Sequence, residues 1–189
     1  MPSYPDWNDA DLQAAAPTLD EWIGVYNLPR AVVYGLVSQE SRFKPTAYRA
    51  EPAIGDASYG LTQILYGTAK GLGYGGSPEG LFAPEANVQF GLLYLRNALD
   101  RFGDVGQALS AYNSGHATGS SAGDAYAAAV LDRASYFDQV FGTTDAAPVD
   151  STSNDVVVND PGTGGAVPVN VLLALAGIAL AWILSQRGK

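Results

Sequence analysis

The sequence predicts an α+β fold, predominantly α-helical with a minor β-ribbon, joined through a linker to a C-terminal transmembrane helix. Three observations predict it. Apolar residues recur at helical spacing through most of residues 1–141. That periodicity dissolves between Lys44 and Tyr59 into Pro, Gly and polar residues. Beyond a polar stretch at 142–166 lies an uncharged apolar run at 167–184, followed by a short basic tail at 185–189. The chain of 189 residues is long enough for one domain with a real core plus such an appendage.

Leu19, Trp22, Ile23 and Tyr26 lie at i, i+3, i+4 and i+7, the spacing of one helix face. Pro29 suits the first turn of the next helix, because its fixed φ and missing N–H cost nothing there. In that helix Val33, Leu36, Val37 and Glu40 repeat the spacing, so Glu40 continues the apolar face. Pro45 stops the helix from running on. Residues 44–59 read as a loop with a small β-ribbon lining a groove. Gly71-Leu72-Gly73-Tyr74-Gly75-Gly76 superficially looks like a phosphate loop, but no strand precedes it and no helix start follows, so it reads as a flexible surface loop. A helix over about 85–102 carries Val88, Leu92, Leu95, Leu99 and Phe102 on its inner stripe. Another runs from near Val105 to the stop at Asn113-Ser114-Gly115. The last uses Tyr126, Val130, Arg133 and Phe137 as one face.

The linker at 142–166 is built from Gly, Pro, Ser, Thr, Asp and Ala with one short Val156-Val157-Val158 run. It holds too little apolar surface to offset its ordering entropy, and as a flexible coil it would spread roughly 25–30 Å. Val167 to Leu184 carries no charge and one amide, Asn170. As a helix it would be about 27 Å long, close to the hydrocarbon thickness of a bilayer. Trp182 sits near its far end, with Arg187 and Lys189 beyond and only acids on the linker side. The positive-inside tendency then puts the C-terminus in the cytoplasm and the large domain outside. A buried helix of a soluble fold is the plainer alternative, and Gly177-x-x-x-Ala181 is too weak a motif to argue self-association.

Composition narrows the chemistry. Acids outnumber bases 19 to 10, for a formal charge of −9, which leaves no electrostatic footprint for nucleic acid. There is no cysteine, so disulfides, thiolate catalysis and Cys-type metal sites are excluded. The one histidine, His116, cannot build a zinc site alone, and no G-x-S-x-G elbow exists to use it in a Ser-His-Asp triad. A loop histidine of this kind ordinarily faces solvent. Hydrolytic chemistry is left to carboxylates. Glu40 is the candidate, since a carboxyl on an apolar face loses hydration when charged and its pKa rises. A raised pKa makes it a proton donor near neutral pH, although a helix-end Glu can also simply reach out to water.

The motifs around Glu40 carry a resemblance. Glu40-Ser41 is followed by Phe43, Pro45 and Ala47, then Ser58-Tyr59-Gly60-Leu61-Thr62-Gln63-Ile64, then Ala111-Tyr112-Asn113-Ser114-Gly115. In this order and with these gaps the chain resembles the soluble lytic transglycosylase (SLT) family, related to goose-type lysozyme, with its motifs E-S-x-F-x-P, G-L-M-Q-[IL] and A-Y-N-x-G. The likeness covers roughly Asp20 to Phe141 and implies a lysozyme-like domain. Tyr126, in Ala125-Tyr126-Ala127, resembles the family's final Tyr-Val motif more weakly, because Ala127 stands where Val is usual.

The resemblance implies roles. Glu40 looks like the single acid/base, and Ser41 like a groove group that contacts substrate or orients the acid. Gln63 looks like the amide that hydrogen-bonds the sugar near the cleavage point, Tyr112 and Asn113 like the pair that binds the N-acetyl sugar, and Tyr126 like a hydrogen-bond partner of Glu40. Without the resemblance each of these has an ordinary structural reading. Thr62 departs from the family's Met and removes a soft apolar contact from the expected groove wall. The implied reaction is cleavage of the bond between N-acetylmuramic acid and N-acetylglucosamine in peptidoglycan, with no cofactor and no metal, closing a 1,6-anhydro ring. A hydrolase would need a second acid; Asp56 is the candidate, though an Asp in the Gly55-Asp56-Ala57-Ser58 turn more often stabilises the turn itself. A goose-type-like lysozyme and a non-catalytic glycan-binding virion structural protein are the alternatives, with a cellular enzyme of a secretion or conjugation apparatus a third.

Expected partners are peptidoglycan strands, a lipid bilayer and virion or envelope proteins, with no nucleic acid. Met1 to Asp6 has neither a basic nor an apolar segment of the kind that opens a signal peptide. A phage virion protein would reconcile that with a wall-facing domain, since virions assemble in the cytoplasm and deliver their enzymes from outside. The expected location is the virion membrane, or otherwise the bacterial inner membrane facing the periplasm.

Overall fold

The computed structural model describes residues 5–115 and 121–142. Helix α1 (Asp9–Tyr26) opens where the Asn8 side chain accepts a 2.8 Å bond from the Ala10 N–H, with Asp9 and Asp11 favourably placed in the first turn. It ends at Asn27, which takes a left-handed conformation that Asn tolerates. Leu19 and Ile23 are buried on its inner face, and Trp22 and Tyr26 stack on each other at 5.4 Å beside them.

Helix α2 (Arg30–Ser41) runs through the middle of the core, buried from Ala31 to Ser38 and again at Ser41. Pro29 stands one residue before the helix as its N-cap rather than inside its first turn. Nor does Pro45 end the helix. The chain leaves it at Arg42 and Phe43, both at positive φ, and Phe43 is thereby driven into the core.

Helix α6 (Ser121–Phe141) packs along α2. The crossing is close because Gly35 has no side chain: a Cβ there would sit 2.7 Å from the Val130 carbonyl oxygen and 2.8 Å from the Ala134 nitrogen. Val130 and Phe137 are fully buried on this face, as the helical spacing predicts. Trp7 closes the bottom of the core, stacked on Phe137 at 5.2 Å and edge-on to Phe43 at 5.6 Å. Helices α4 (Pro84–Phe102) and α5 (Val105–Ser114) complete the bundle, α5 lying between α4 and α6, and α1 packing on α4. Val88, Leu92, Leu95 and Leu99 form the buried stripe of α4, with Phe102 partly buried at its end.

The segment without helical periodicity is a three-stranded antiparallel ribbon in the order β1 (Tyr48–Glu51), β2 (Asp56–Tyr59), β3 (Ile64–Leu65). Arg49 pairs with Ser58 and Tyr48 with Tyr59. Two elements were not anticipated from sequence: helix α3 (Tyr66–Gly71) and a 3₁₀ turn at Pro78–Phe82. Both are too short to display a period. Together with β3 they build a small second core of Ile64, Ala69 and Leu81. The Gly-rich run after α3 is a connection in which Tyr74 is packed against Phe90 at 5.3 Å.

Asn87 of α4 ties the ribbon to the bundle. It is fully buried, and its amide is satisfied on both sides. Its Oδ1 accepts from the Thr62 N–H and hydroxyl, each at 2.8 Å, and its Nδ2 donates to the carbonyls of Tyr59 at 2.7 Å and Leu81 at 2.9 Å. A side chain at Gly91 would collide with Thr62, and one at Gly60 (φ +66) with Asn87.

Among the described residues no helix is long and apolar enough to cross a membrane. The tail at 185–189, the helix read at 167–184, the linker read at 142–166 beyond Gly142, and His116 all lie outside the described residues.

Candidate active site

Glu40 is the penultimate residue of α2. The apolar face it belongs to is anchored in the core by Val33, Leu36 and Val37, so its carboxyl emerges at the base of a cleft of about 490 Å³ between the ribbon and the ends of α5 and α6. Tyr126 donates a hydrogen bond from α6 to Glu40 Oε1. Burial pushes the Glu40 carboxyl from 4.5 up to about 7; the Tyr126 bond and the positive charge of Arg49 pull the other way and are outweighed. Glu40 therefore carries its proton through a substantial part of the neutral range. Burial, and then the Glu40 charge, hold the Tyr112 and Tyr126 hydroxyls well above 10, so both remain donors.

Tyr112, Asn113, Gln63 and Tyr126 line the same cleft as Glu40. Tyr112 stands on α5, its ring 5.2 Å from Tyr94 and its hydroxyl donating to the Thr62 carbonyl at 2.8 Å. Asn113 follows it, exposed at the cleft surface. Gln63 sits at positive φ in the β2–β3 turn. Its Nε2 donates to the carbonyls of Ala47 at 3.1 Å and Gly60 at 3.0 Å, tying the start of β1 to the end of β2. Both donor positions of the amide are thus used, and Oε1 is the atom left to accept from a ligand.

The packing corrects two expectations, for Ser41 and Thr62, and gives Asp56 the structural role that was its more ordinary reading. Ser41 does not line the cleft: it is buried, and its hydroxyl donates back to the Val37 carbonyl at 3.2 Å, a local bond within the helix. Thr62 is not on the groove wall either, since it is fully buried against Asn87 and Gly91, so the missing Met does not change the cleft surface. Asp56 lies outside the cleft lining. Its Oδ1 accepts from the Ala57 N–H at 2.7 Å and its Oδ2 from the Gly67 N–H at 2.9 Å, which fixes the ribbon to the first turn of α3.

The residue-by-residue reading of the sequence missed the charged pair on β1. Arg49 and Glu51 both line the cleft, as does Ser58 across from Arg49. Arg49 Nε donates to Glu51 Oε1 at 2.6 Å. A signal was available, because i and i+2 share a face in any strand. It could be used only once residues 48–51 were known to be a strand. Among the described residues no group of three or more His, Asp or Glu side chains is gathered to hold a metal ion.

Comparison with known proteins bears on the family and the fold. The family model described as Transglycosylase SLT domain matches residues 18–129. The chain is 39% identical over 90 residues to a protein named transglycosylase from Enterobacteria phage PRD1, covering 48% of this chain and 31% of that one. Its fold resembles that of an inactive mutant of the lytic transglycosylase Slt from Pseudomonas aeruginosa, with a TM-score of 0.57 at 24% identity over 67% of this chain and 24% of that one. It likewise resembles the 70 kDa soluble lytic transglycosylase of Escherichia coli, with a TM-score of 0.56 at 23% identity over the same shares, 67% and 24%. The chain thus spans less than a third of the length of each of these relatives. Since the matched residues, 18–129, make up more than half of the 189, the chain belongs to the Transglycosylase SLT domain family.

Proposed function

We propose that the chain is a peptidoglycan lytic transglycosylase acting through Glu40. The observation that carries this reading is one carboxyl, desolvated to a pKa of about 7, presented at the base of an open polar cleft. The transglycosylase name borne by the PRD1 relative supports it.

Protonated Glu40 donates to the oxygen linking N-acetylmuramic acid to N-acetylglucosamine, and the C1–O bond breaks. The 2-acetamido carbonyl of the muramyl sugar stabilises the positive charge that develops at C1. The C6 hydroxyl of the same sugar then bonds to C1, and Glu40, now a carboxylate, takes its proton. The ring closes as a 1,6-anhydro product, no water is consumed, and Glu40 ends as it began. Tyr126 holds the carboxyl in place through both steps. Gln63 Oε1 accepts from the sugar, and Asn113, with Tyr112 supporting the wall, binds the acetamido group.

Glu51 favours a second reading. It is another carboxylate in the cleft, and hydrolases of this linkage commonly use two. As a base for water it would make the chain a goose-type-like lysozyme. Mass spectrometry of the muropeptides released from purified peptidoglycan separates the two: anhydro-muramyl ends for the transglycosylase, reducing ends alone for the hydrolase. Glu40→Gln should lower turnover by at least about 100-fold while glycan binding survives. Loss of binding alongside turnover would assign Glu40 to structure.

The wider setting belongs to the same proposal. Residues 167–184 form a membrane anchor behind a flexible acidic linker at 142–166, and the domain at 1–141 works on the wall-facing side, carried by a phage particle that opens the wall locally at entry.

A further inference from the structure

Arg49 has no role in the mechanism above, and its position works against that mechanism. Its charge lowers the affinity of Glu40 for the proton that the acid must donate. The chain has only 10 basic residues against 19 acidic ones, yet places one of them on the wall of the cleft that holds its acid. A cation there calls for an anion brought by the substrate.

The geometry fits that use. Arg49 stands on β1, opposite Ser58 of β2. Glu51 Oε1 takes only the Nε, at 2.6 Å, with the Ser58 hydroxyl donating to the same oxygen at a longer 3.4 Å. A guanidinium gripped at Nε is held in plane, with its two terminal nitrogens facing outward as a fork. Those nitrogens make no hydrogen bond to the described residues, and the side chain is 73% exposed in the cleft. Glu51 therefore orients Arg49 without filling the edge that matches a carboxylate in two parallel hydrogen bonds.

We propose that Arg49 is a specificity-determining residue that binds a carboxylate of the peptide substituent on the glycan strand, oriented for it by Glu51 and Ser58. The proposal rests on the transglycosylase reading for its substrate and deepens it: the cleft reads the acidic peptide as well as the sugar. In a chain of net charge −9 this is the local attraction that offsets the general repulsion of an anionic polymer.

The test compares glycan strands carrying free peptide carboxylates with the same strands after those carboxylates have been converted to amides. Binding is measured by co-sedimentation and cleavage by release of soluble fragments. The wild-type chain is expected to prefer the acidic strands by about 10-fold in KM, the scale of a charge-assisted hydrogen bond, with kcat little changed. Arg49→Gln should abolish the preference, and Arg49→Lys should restore part of it, since it keeps the charge and loses the fork. Glu51→Gln should weaken the preference by freeing the guanidinium. Unchanged melting of the Arg49 variants separates these effects from misfolding. An Arg49→Gln chain that still prefers acidic strands to the wild-type extent overturns the proposal. Failure of the wild-type chain to cleave either strand defeats the transglycosylase reading instead, and the binding preference then still decides for or against Arg49.

Discussion

The Glu40 carboxyl weakens the fold whenever it is charged. Its pKa rises from 4.5 to about 7 on folding, so its contribution to stability is complete below about 4.5 and is lost as the pH rises through about 7. A neutral amide of the same shape escapes this penalty. Glu40→Gln should therefore melt higher than wild type at pH 8, by up to about 3 kcal/mol of stability, and the difference should shrink toward pH 4.5. Thermal melts across that range check it, and equal melting at pH 8 would mean that the carboxyl is well solvated. Glu40 was legible in the sequence because its spacing from Val33, Leu36 and Val37 fixes the face it occupies. Ser41 was misread because it lies on the same helix: adjacency to Glu40 in sequence is about 100° of rotation in space. Arg49 and Glu51 were overlooked because neither belongs to a motif, and their common face exists only in a strand.

Helices α1, α2, α4 and α6 declared themselves through a period of apolar residues, whereas α5 was legible from its stop at Asn113-Ser114-Gly115. The ribbon was legible as a break in the pattern but not in its strand order, which depends on pairings such as Arg49 with Ser58. Helix α3 has six residues, less than two turns, and offers no period to read. The Asn87–Thr62 clamp joins polar residues 25 apart in sequence, and nothing in composition predicts such a bond. Close approach is equally silent, since Gly35 looks like a helix flaw until Val130 and Ala134 are seen against it. Gly35→Ala improves helix propensity yet should destabilise the domain by about 1–3 kcal/mol, because the added methyl meets backbone atoms of α6. Because α2 and α6 carry Glu40 and Tyr126, activity should fall with stability. Urea unfolding together with fragment-release assays reads both, and a stabilised variant would show that the two helices can move apart freely.

At the scale of the whole molecule, the candidate site forms where separate segments meet: the end of α2, the ribbon, and the cleft-facing ends of α5 and α6. The order of those segments in sequence was readable, and so was the family they belong to. The proposed arrangement adds a tether that keeps this catalytic unit near a bilayer and lets it search the wall. The full-length chain should float with liposomes in a density gradient, and a chain lacking 167–184 should stay at the bottom. Flotation of both would move the membrane contact to another part of the protein. The central claim, however, is about a single proton. Titration of the Glu40 side-chain carboxyl by ¹³C NMR in the folded wild-type protein tests it directly. A midpoint near 7 that falls to the ordinary carboxylate range on unfolding is the predicted result. A midpoint near 4.5 in the folded protein would contradict the assignment of Glu40 as the acid.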